Sequence, residues 1–205
     1  SRYLTNPGLR MIKTAKQALR YAAKPKHLGL LYHRQCQSVL GGLFYTRPES
    51  PLCGFSDAAF ADQPDDRKST AGMVLTFNGF AILWWSKIIR TVACSSQDAE
   101  FMALSDSCRE VCFVQNLLNS IGYKVDKTSL FGDNKGSLVL VKNPSDHQKS
   151  KHIEIRYFFV RQKVEERRVQ VFYVKTTDQL ADLLTKALDP KQHERLSLAI
   201  TGQPL

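Results

Sequence analysis

Asp57 in "CGFSDAAFAD", Glu100 in "SSQDAEF", Asp133 in "LFGDN" and Asp182 in "QLADLLTK" are the residues of this chain that could do chemistry together. Each alone has a plain structural reading. Asp57 closes a strand, although alternation along the segment puts it on the apolar face with Cys53 and Phe55. Glu100 complements a helix N-terminus, although Leu104, Ser107, Val111, Val114 and Leu118 continue from it down one mostly apolar stripe. Asp133 suits a turn, and Asp182 an exposed helix face. As a set they pose an electrostatic problem, because two unit charges about 4 Å apart repel by roughly 4 kcal/mol at an effective dielectric of roughly 20. The cation such a cluster needs would be a Lys or Arg of this basic chain, or hard divalent ions, which take oxygen ligands. Two such ions about 3.5–4 Å apart can activate a water and stabilise a leaving oxygen in phosphodiester hydrolysis.

For the four to meet, particular elements must carry them. "NPGLRMIKTAKQALRYAAKP" predicts a helix opened by Pro7 and closed near Pro25, with Leu9, Ile12, Ala15, Leu19 and Ala22 at helical spacing. A short strand, "LGLLYHR", follows, and "TRPESP" marks a boundary near residue 50. Next come strands "LCGFSDAAF", "TAGMVLTFN" and "FAILWWSKIIRTVA", the last two made a hairpin by Asn78-Gly79. A long helix runs from about Ser96 to Ile121, with Ser95 and Asp98 spaced for a capping box. Strand "SLFGD", helix "KGSLVLVKN", helix "SKHIEIRYFFVRQKVEERR", strand "VQVFYVK" and helix "TDQLADLLTKAL" complete the order β-β-β-α-β-α-α-β-α. The expected organisation is an arm over residues 1–50, one domain over 51–190 and a tail over 191–205.

The 205 residues are 43% hydrophobic and 23% charged, ordinary for a globular protein. Their 29 Lys and Arg against 19 Asp and Glu give +10, a balance that suits nucleic acid as partner. Lys13, Lys16, Arg20, Lys24 and Lys26 put much of that charge in the opening segment. Cys36, Cys53, Cys94, Cys108 and Cys112 are odd in number and scattered, with no C-x-x-C, so neither a zinc site nor a disulfide framework is expected. Reduced thiols fit an intracellular compartment. The apolar run "FAILWW" is too short to span a bilayer, no signal-peptide pattern opens the chain, and no membrane partner is expected. The chain begins inside an amphipathic pattern, which suggests a piece of something longer. Trp84 and Trp85, successive on a strand, face opposite ways.

The segments "GFSDAAFADQPDDRKSTAG", "TVACSSQDAEFMAL", "LFGDNKGSL", "SKHIEIRYFFVRQKV" and "YVKTTDQLADLLTKAL" closely resemble the ribonuclease H domain of copia-type LTR retrotransposon polyproteins, in order over residues 50–190. "SRYLTNPGLRMIKTAKQALRYAAKPKHLGLLYHR" resembles the connection from the reverse transcriptase. The resemblance implies an α/β ribonuclease H-like fold: a mixed five-stranded sheet, three strands antiparallel and two parallel, flanked by helices, here with an N-terminal helical arm. It implies an endoribonuclease that cuts the RNA strand of RNA/DNA hybrids during reverse transcription, with two Mg²⁺ or Mn²⁺ ions. It matches Asp57, Glu100, Asp133 and Asp182 to the family's four acidic positions, with Asp57 bridging both ions, Glu100 and Asp133 completing one shell and Asp182 the other. It further implies the reverse transcriptase of the same polyprotein as partner and an intracellular, cytoplasmic setting in a virus-like particle, with the nucleus as the alternative.

There are departures. Gln97-Asp98-Ala99-Glu100-Phe101 stands where the family has Thr-Glu-Ala-Glu-Tyr, and Phe158 where a His is common. "VKTTDQLAD" holds no His before the last acidic segment, while His152 in "KHIEI" is retained, as a site residue or a structural one. For substrate contacts, Asn134 is the candidate reader of the RNA 2′-hydroxyl. Ser96, Arg67 and Lys68 are candidates for backbone phosphates, against simple pairing of Arg67 and Lys68 with Asp65 and Asp66. The rival to the nuclease is a domesticated, non-catalytic nucleic-acid- or protein-binding module of the same fold; an integrase-like transferase fits the motif order less well.

Overall fold

A computed structural model describes residues 8–23, 29–32, 50–142 and 151–202. Two compact units divide the chain, Ser1–Leu30 and Leu31–Leu205. In the first, α1 (Leu9–Ala23) carries Leu9, Ile12 and Leu19 exposed and buries no residue. The sequence expects a strand next, but the described residues 29–32 form none. All but the last two residues of the "TRPESP" boundary, and Lys24, Lys26 and Cys36, lie outside the described residues.

The second unit is built on β1 (Leu52–Ala59), β2 (Thr70–Phe77), β3 (Phe80–Ile88), β4 (Thr128–Gly132) and β5 (Val169–Tyr173). They form one mixed sheet in the order β3-β2-β1-β4-β5. The first three strands pair antiparallel, while β1–β4 and β4–β5 are parallel. This is the expected ribonuclease H-like arrangement. The hairpin turn works because Asn78 and Gly79 both take positive φ, 49° and 84°, as the tight turn between right-twisted strands demands. The third strand is shorter than its apolar run; beyond Ile88 the chain leaves the sheet, and Ile89 and Ala93 are buried.

Helices cover both faces. On one lie α2 (Ser96–Ser120), α3 (Lys135–Lys142) and α4 (Lys151–Glu165). From them Leu104, Val111, Leu138, Val141 and Val160 join Leu52, Met73, Leu75 and Leu130 of the sheet in the main core. Of the expected capping box at α2, the Ser95 half is seen, with Ser95 Oγ accepting from the Asp98 N–H at 3.1 Å. On the opposite face Cys53, Phe55 and Val74 meet Leu180, Ala181, Leu196 and Ala199. Trp85 packs on the core while Trp84 is exposed, as strand alternation requires.

The last segment departs from the continuous helix its sequence predicts. A 3-10 turn at Thr176–Asp178 is followed by the single-turn α5 (Asp182–Thr185) and then α6 (Pro190–Thr201). Tertiary bonds override local periodicity here. Gln179, fully buried, donates from Nε2 to the Ser56 carbonyl at 3.0 Å, and Arg195 reaches back to Asp178 at 2.6 Å. Asp189 then caps α6 by accepting from the N–H groups of Lys191 and Gln192, with Pro190 in the first turn. Residues read as a tail thus bury Leu196 and Ala199. Leu196→Ala should lower unfolding free energy by about 2–5 kcal/mol in urea titration; a change within about 0.5 kcal/mol, the range of surface substitutions, would mean that α6 is not part of the cooperative core.

Candidate active site

The sheet itself brings two of the acids together. Parallel pairing of β1 with β4 sets Phe55 opposite Phe131, so Asp57 and Asp133, each two residues further on, arrive level at the carboxyl ends of their strands. This is the end where open α/β sheets bind ligands. Asp57 shares the face of Cys53 and Phe55, and it is fully buried. Asp182, only 1% exposed, comes from the first position of α5 rather than from mid-helix.

That approach depends on Gly72, which pairs with Asp57 across β1 and β2. A Cβ on Gly72 would stand 2.8 Å from Thr185 Cγ2 and 2.9 Å from Leu184 Cβ, so any side chain there would push α5 away. Oxygen atoms of Asp57, Asp133 and Asp182 consequently lie within 4.8 Å of one another.

Glu100 lies outside that group of three but belongs to its electrostatic field. Burial first, then the charges of Asp57, Asp133 and Asp182, push its carboxyl up to about 9 despite the opposing effect of Lys186. Burial and the Asp57 charge push Asp182 up to about 7, again against the hydrogen bond from Lys186.

Lys186 and Thr185 are the site residues that sequence reasoning missed. The Lys186 ammonium donates to Asp57 Oδ1 and to Asp182 Oδ1, both at 2.9 Å, and stands 4.0 Å from Asp133 Oδ2. The Thr185 hydroxyl donates to Asp57 Oδ2, and Thr176 Oγ1 donates to Asp133 Oδ2 at 2.9 Å. The available signal was the four-residue spacing of Asp182 and Lys186, ordinarily the mark of a surface ion pair on a helix.

The expected substrate residues are placed less centrally. Asn134 Oδ1 accepts from the Ser137 N–H at 3.1 Å and so caps α3, beside Asp133. Ser96 is exposed at the start of α2. Arg67 is exposed in the turn before β2 with φ 51°, and Lys68 pairs with Asp66 at 2.9 Å, the plainer of the two readings for that lysine. The side chain of His152, in α4, lies outside the described residues.

The donor set is suited to a hard divalent cation: carboxylate oxygens from three directions, with a fourth acid close enough to share their field. Cys53, Cys94, Cys108 and Cys112 are free thiols, and no other metal-type cluster occurs among the described residues. Nor, among those residues, is any helix long and apolar enough to cross a membrane.

No protein-family model matches the sequence. The Pol polyprotein of transposon TNT 1-94 from Nicotiana tabacum is 30% identical over 195 residues, 95% of this chain and 14% of that protein. The Pol polyprotein of transposon RE1 from Arabidopsis thaliana is 32% identical over 191 residues, 92% of this chain and 12% of that protein. The chain therefore spans only about an eighth of the length of these relatives, from the 14% and 12% covered. Among solved structures, LC11-RNase H1 isolated from compost superposes with a TM-score of 0.50 at 14% identity, covering 66% of this chain and 93% of that one. That likeness is one of fold.

The raised carboxyls make a signed prediction for the metal-free protein. In the folded state Glu100 and Asp182 hold protons more tightly than in the unfolded chain. The stability this contributes is complete below the ordinary carboxylate range and is lost as pH rises through about 7 and about 9. In chelator, the urea midpoint should fall between pH 5 and pH 9, and Asp182→Asn should remove the lower part of that fall. An Asp182→Asn profile parallel to wild type would contradict the assignment.

Proposed function

Because the chain is homologous to one segment of the retrovirus-related Pol polyproteins of transposons and has the ribonuclease H fold, we propose that it cleaves the RNA strand of RNA/DNA hybrids with divalent ions held by Asp57, Glu100, Asp133 and Asp182. The observation that carries this reading is the convergence of three carboxylates at the carboxyl ends of β1 and β4. When bound, Mg²⁺ or Mn²⁺ ions supply Lewis-acid stabilisation of the charge that develops on the phosphate and activate the attacking water.

The chain's own residues bind and orient. Asp57, Asp133 and Asp182, whose oxygens lie within 4.8 Å of one another, would hold the ions, with Asp57 the candidate to be shared between them. Thr185 fixes the rotamer of Asp57, and Thr176 that of Asp133. Ser96, exposed at the N-terminal end of α2, is the candidate there for a backbone phosphate. Asn134 neighbours Asp133 and is the candidate for the 2′-hydroxyl of the cut strand, while Arg67, Lys68 and His152 remain candidates for more distant contacts. The partners proposed are the hybrid and the reverse transcriptase of the same polyprotein, in the intracellular particle where reverse transcription takes place.

A non-catalytic binding module is the second reading, and one observation favours it: Lys186 already neutralises part of the acidic cluster. Turnover separates the two. Labelled hybrid incubated with Mg²⁺ or Mn²⁺ should be cut in the RNA strand, and Asp57→Asn should reduce the rate by about a thousandfold or more. The Asp57→Asn/Asp133→Asn pair should lose little beyond that, since groups acting as a unit are grossly non-additive. Hybrid bound but left intact by folded wild type would establish the binding module instead.

Affinity should carry its own signature. Lys13, Lys16 and Arg20 are exposed on α1, and each phosphate they neutralise releases counterions. Removing residues 1–28 should weaken hybrid binding and flatten its salt dependence; identical slopes for the two chains would exclude α1 from the interface.

A further inference from the structure

We propose that Lys186 is a built-in counter-ion that a divalent ion must displace, so that ammonium and metal occupy the carboxylate cluster in turn. This rests on the reading of the cluster as an ion site. Asp57 is fully buried, and both of its oxygens are already engaged, Oδ1 by the Lys186 ammonium and Oδ2 by the Thr185 hydroxyl. The same ammonium holds Asp182 Oδ1 at 2.9 Å and stands 4.0 Å from Asp133 Oδ2. It therefore lies among the three carboxylates whose oxygens would face an ion. A divalent ion placed there would compete for the same oxygens and repel the ammonium.

The two contacts of Asp57 differ in how easily they are given up. Thr185 is the last residue of α5, and its short side chain also reaches the Ala181 carbonyl at 3.4 Å, so its hydroxyl can stay in place when a cation arrives. Lys186 is the residue after α5, already in extended backbone (φ −124°, ψ 150°), and its side chain is 33% exposed. Rotation about its four-carbon stem takes the charge into water with no change in the main chain.

The tethered ammonium then acts as a competitor. Apparent ion affinity is reduced to the fraction of molecules in which Lys186 has swung out. With a minor state of about 1–10%, removing the ammonium should tighten ion binding about 10- to 100-fold.

Mn²⁺ titrations followed by calorimetry and by electron paramagnetic resonance test this directly. Lys186→Gln should bind Mn²⁺ about 10- to 100-fold more tightly than wild type. Lys191→Gln, which removes the same charge from the exposed start of α6, should stay near wild type, and Asp57→Asn should lose the site. A second measurement uses wild type alone, in case Lys186→Gln folds poorly with its carboxylates uncompensated. Acetylation of Lys186, read by mass spectrometry, should accelerate at saturating Mn²⁺ or Ca²⁺ as the amine is released. Unchanged affinity in folded Lys186→Gln, or labelling that does not accelerate, overturns the inference while loss of binding in Asp57→Asn leaves the ion site standing. Wild-type affinity in Asp57→Asn would remove both.

Discussion

Carboxylate oxygens from three elements, held within 4.8 Å of one another with Asp57 and Asp182 out of water, cannot all stay ionised without a cation. Everything at this end of the sheet answers to that constraint. Protons are one response, seen in the upward pull on Glu100 and Asp182. A lysine is another, and Lys186 is itself held more strongly protonated by its carboxylate partners, in spite of its partial burial. A divalent ion is the third. The three responses draw on the same oxygens, so ion binding, proton binding and the position of one side chain form a single linked equilibrium.

The fold's contribution is to make that crowding unavoidable. Parallel pairing of β1 and β4 fixes Asp57 beside Asp133 through backbone hydrogen bonds, which side-chain repulsion cannot slide without disrupting the sheet. The helix α2 is located by its Ser95 cap and by a stripe of buried residues from Leu104 to Val114, and this holds Glu100 toward the sheet. The missing side chain at Gly72 admits α5, and the anchoring of α6 by Leu196 and Ala199 presses that short helix home. Core packing on two faces thus supports a small electrostatically unfavourable spot at one edge of the sheet.

What could be read from sequence was whatever a local pattern encodes. Alternation placed Asp57 with Cys53 and Phe55, and heptad-like steps from Glu100 set the buried stripe of α2. Asn78-Gly79 announced the hairpin. The final segment was misread because the features that break it are non-local: a buried Gln179 bonded to Ser56, and Arg195 bonded to Asp178. Lys186 was invisible for the same reason. Its four-residue spacing from Asp182 marks a helix pair, but its bond to Asp57 spans 129 residues of sequence. No periodicity reports on a contact of that range.

The +10 charge also takes a different meaning once side chains are placed. A surplus of Lys and Arg suggests free cations awaiting phosphate, yet several of those described are already paired. Asp106, largely buried on α2, gathers Arg109 at 2.6 Å, Arg156 at 2.7 Å and Lys87 at 3.1 Å. Lys68 pairs with Asp66, and Arg195 with Asp178. The Asp106 group still carries two positive charges beyond its one carboxylate, arising from three elements whose mutual positions are fixed by the core. Pre-positioned charge of this kind loses less side-chain entropy on meeting a polyanion than the same number of unconstrained lysines would. Electrostatic attraction is therefore better attributed to a few organised clusters than to net charge, and at the acidic cluster the surplus is turned inward, through Lys186.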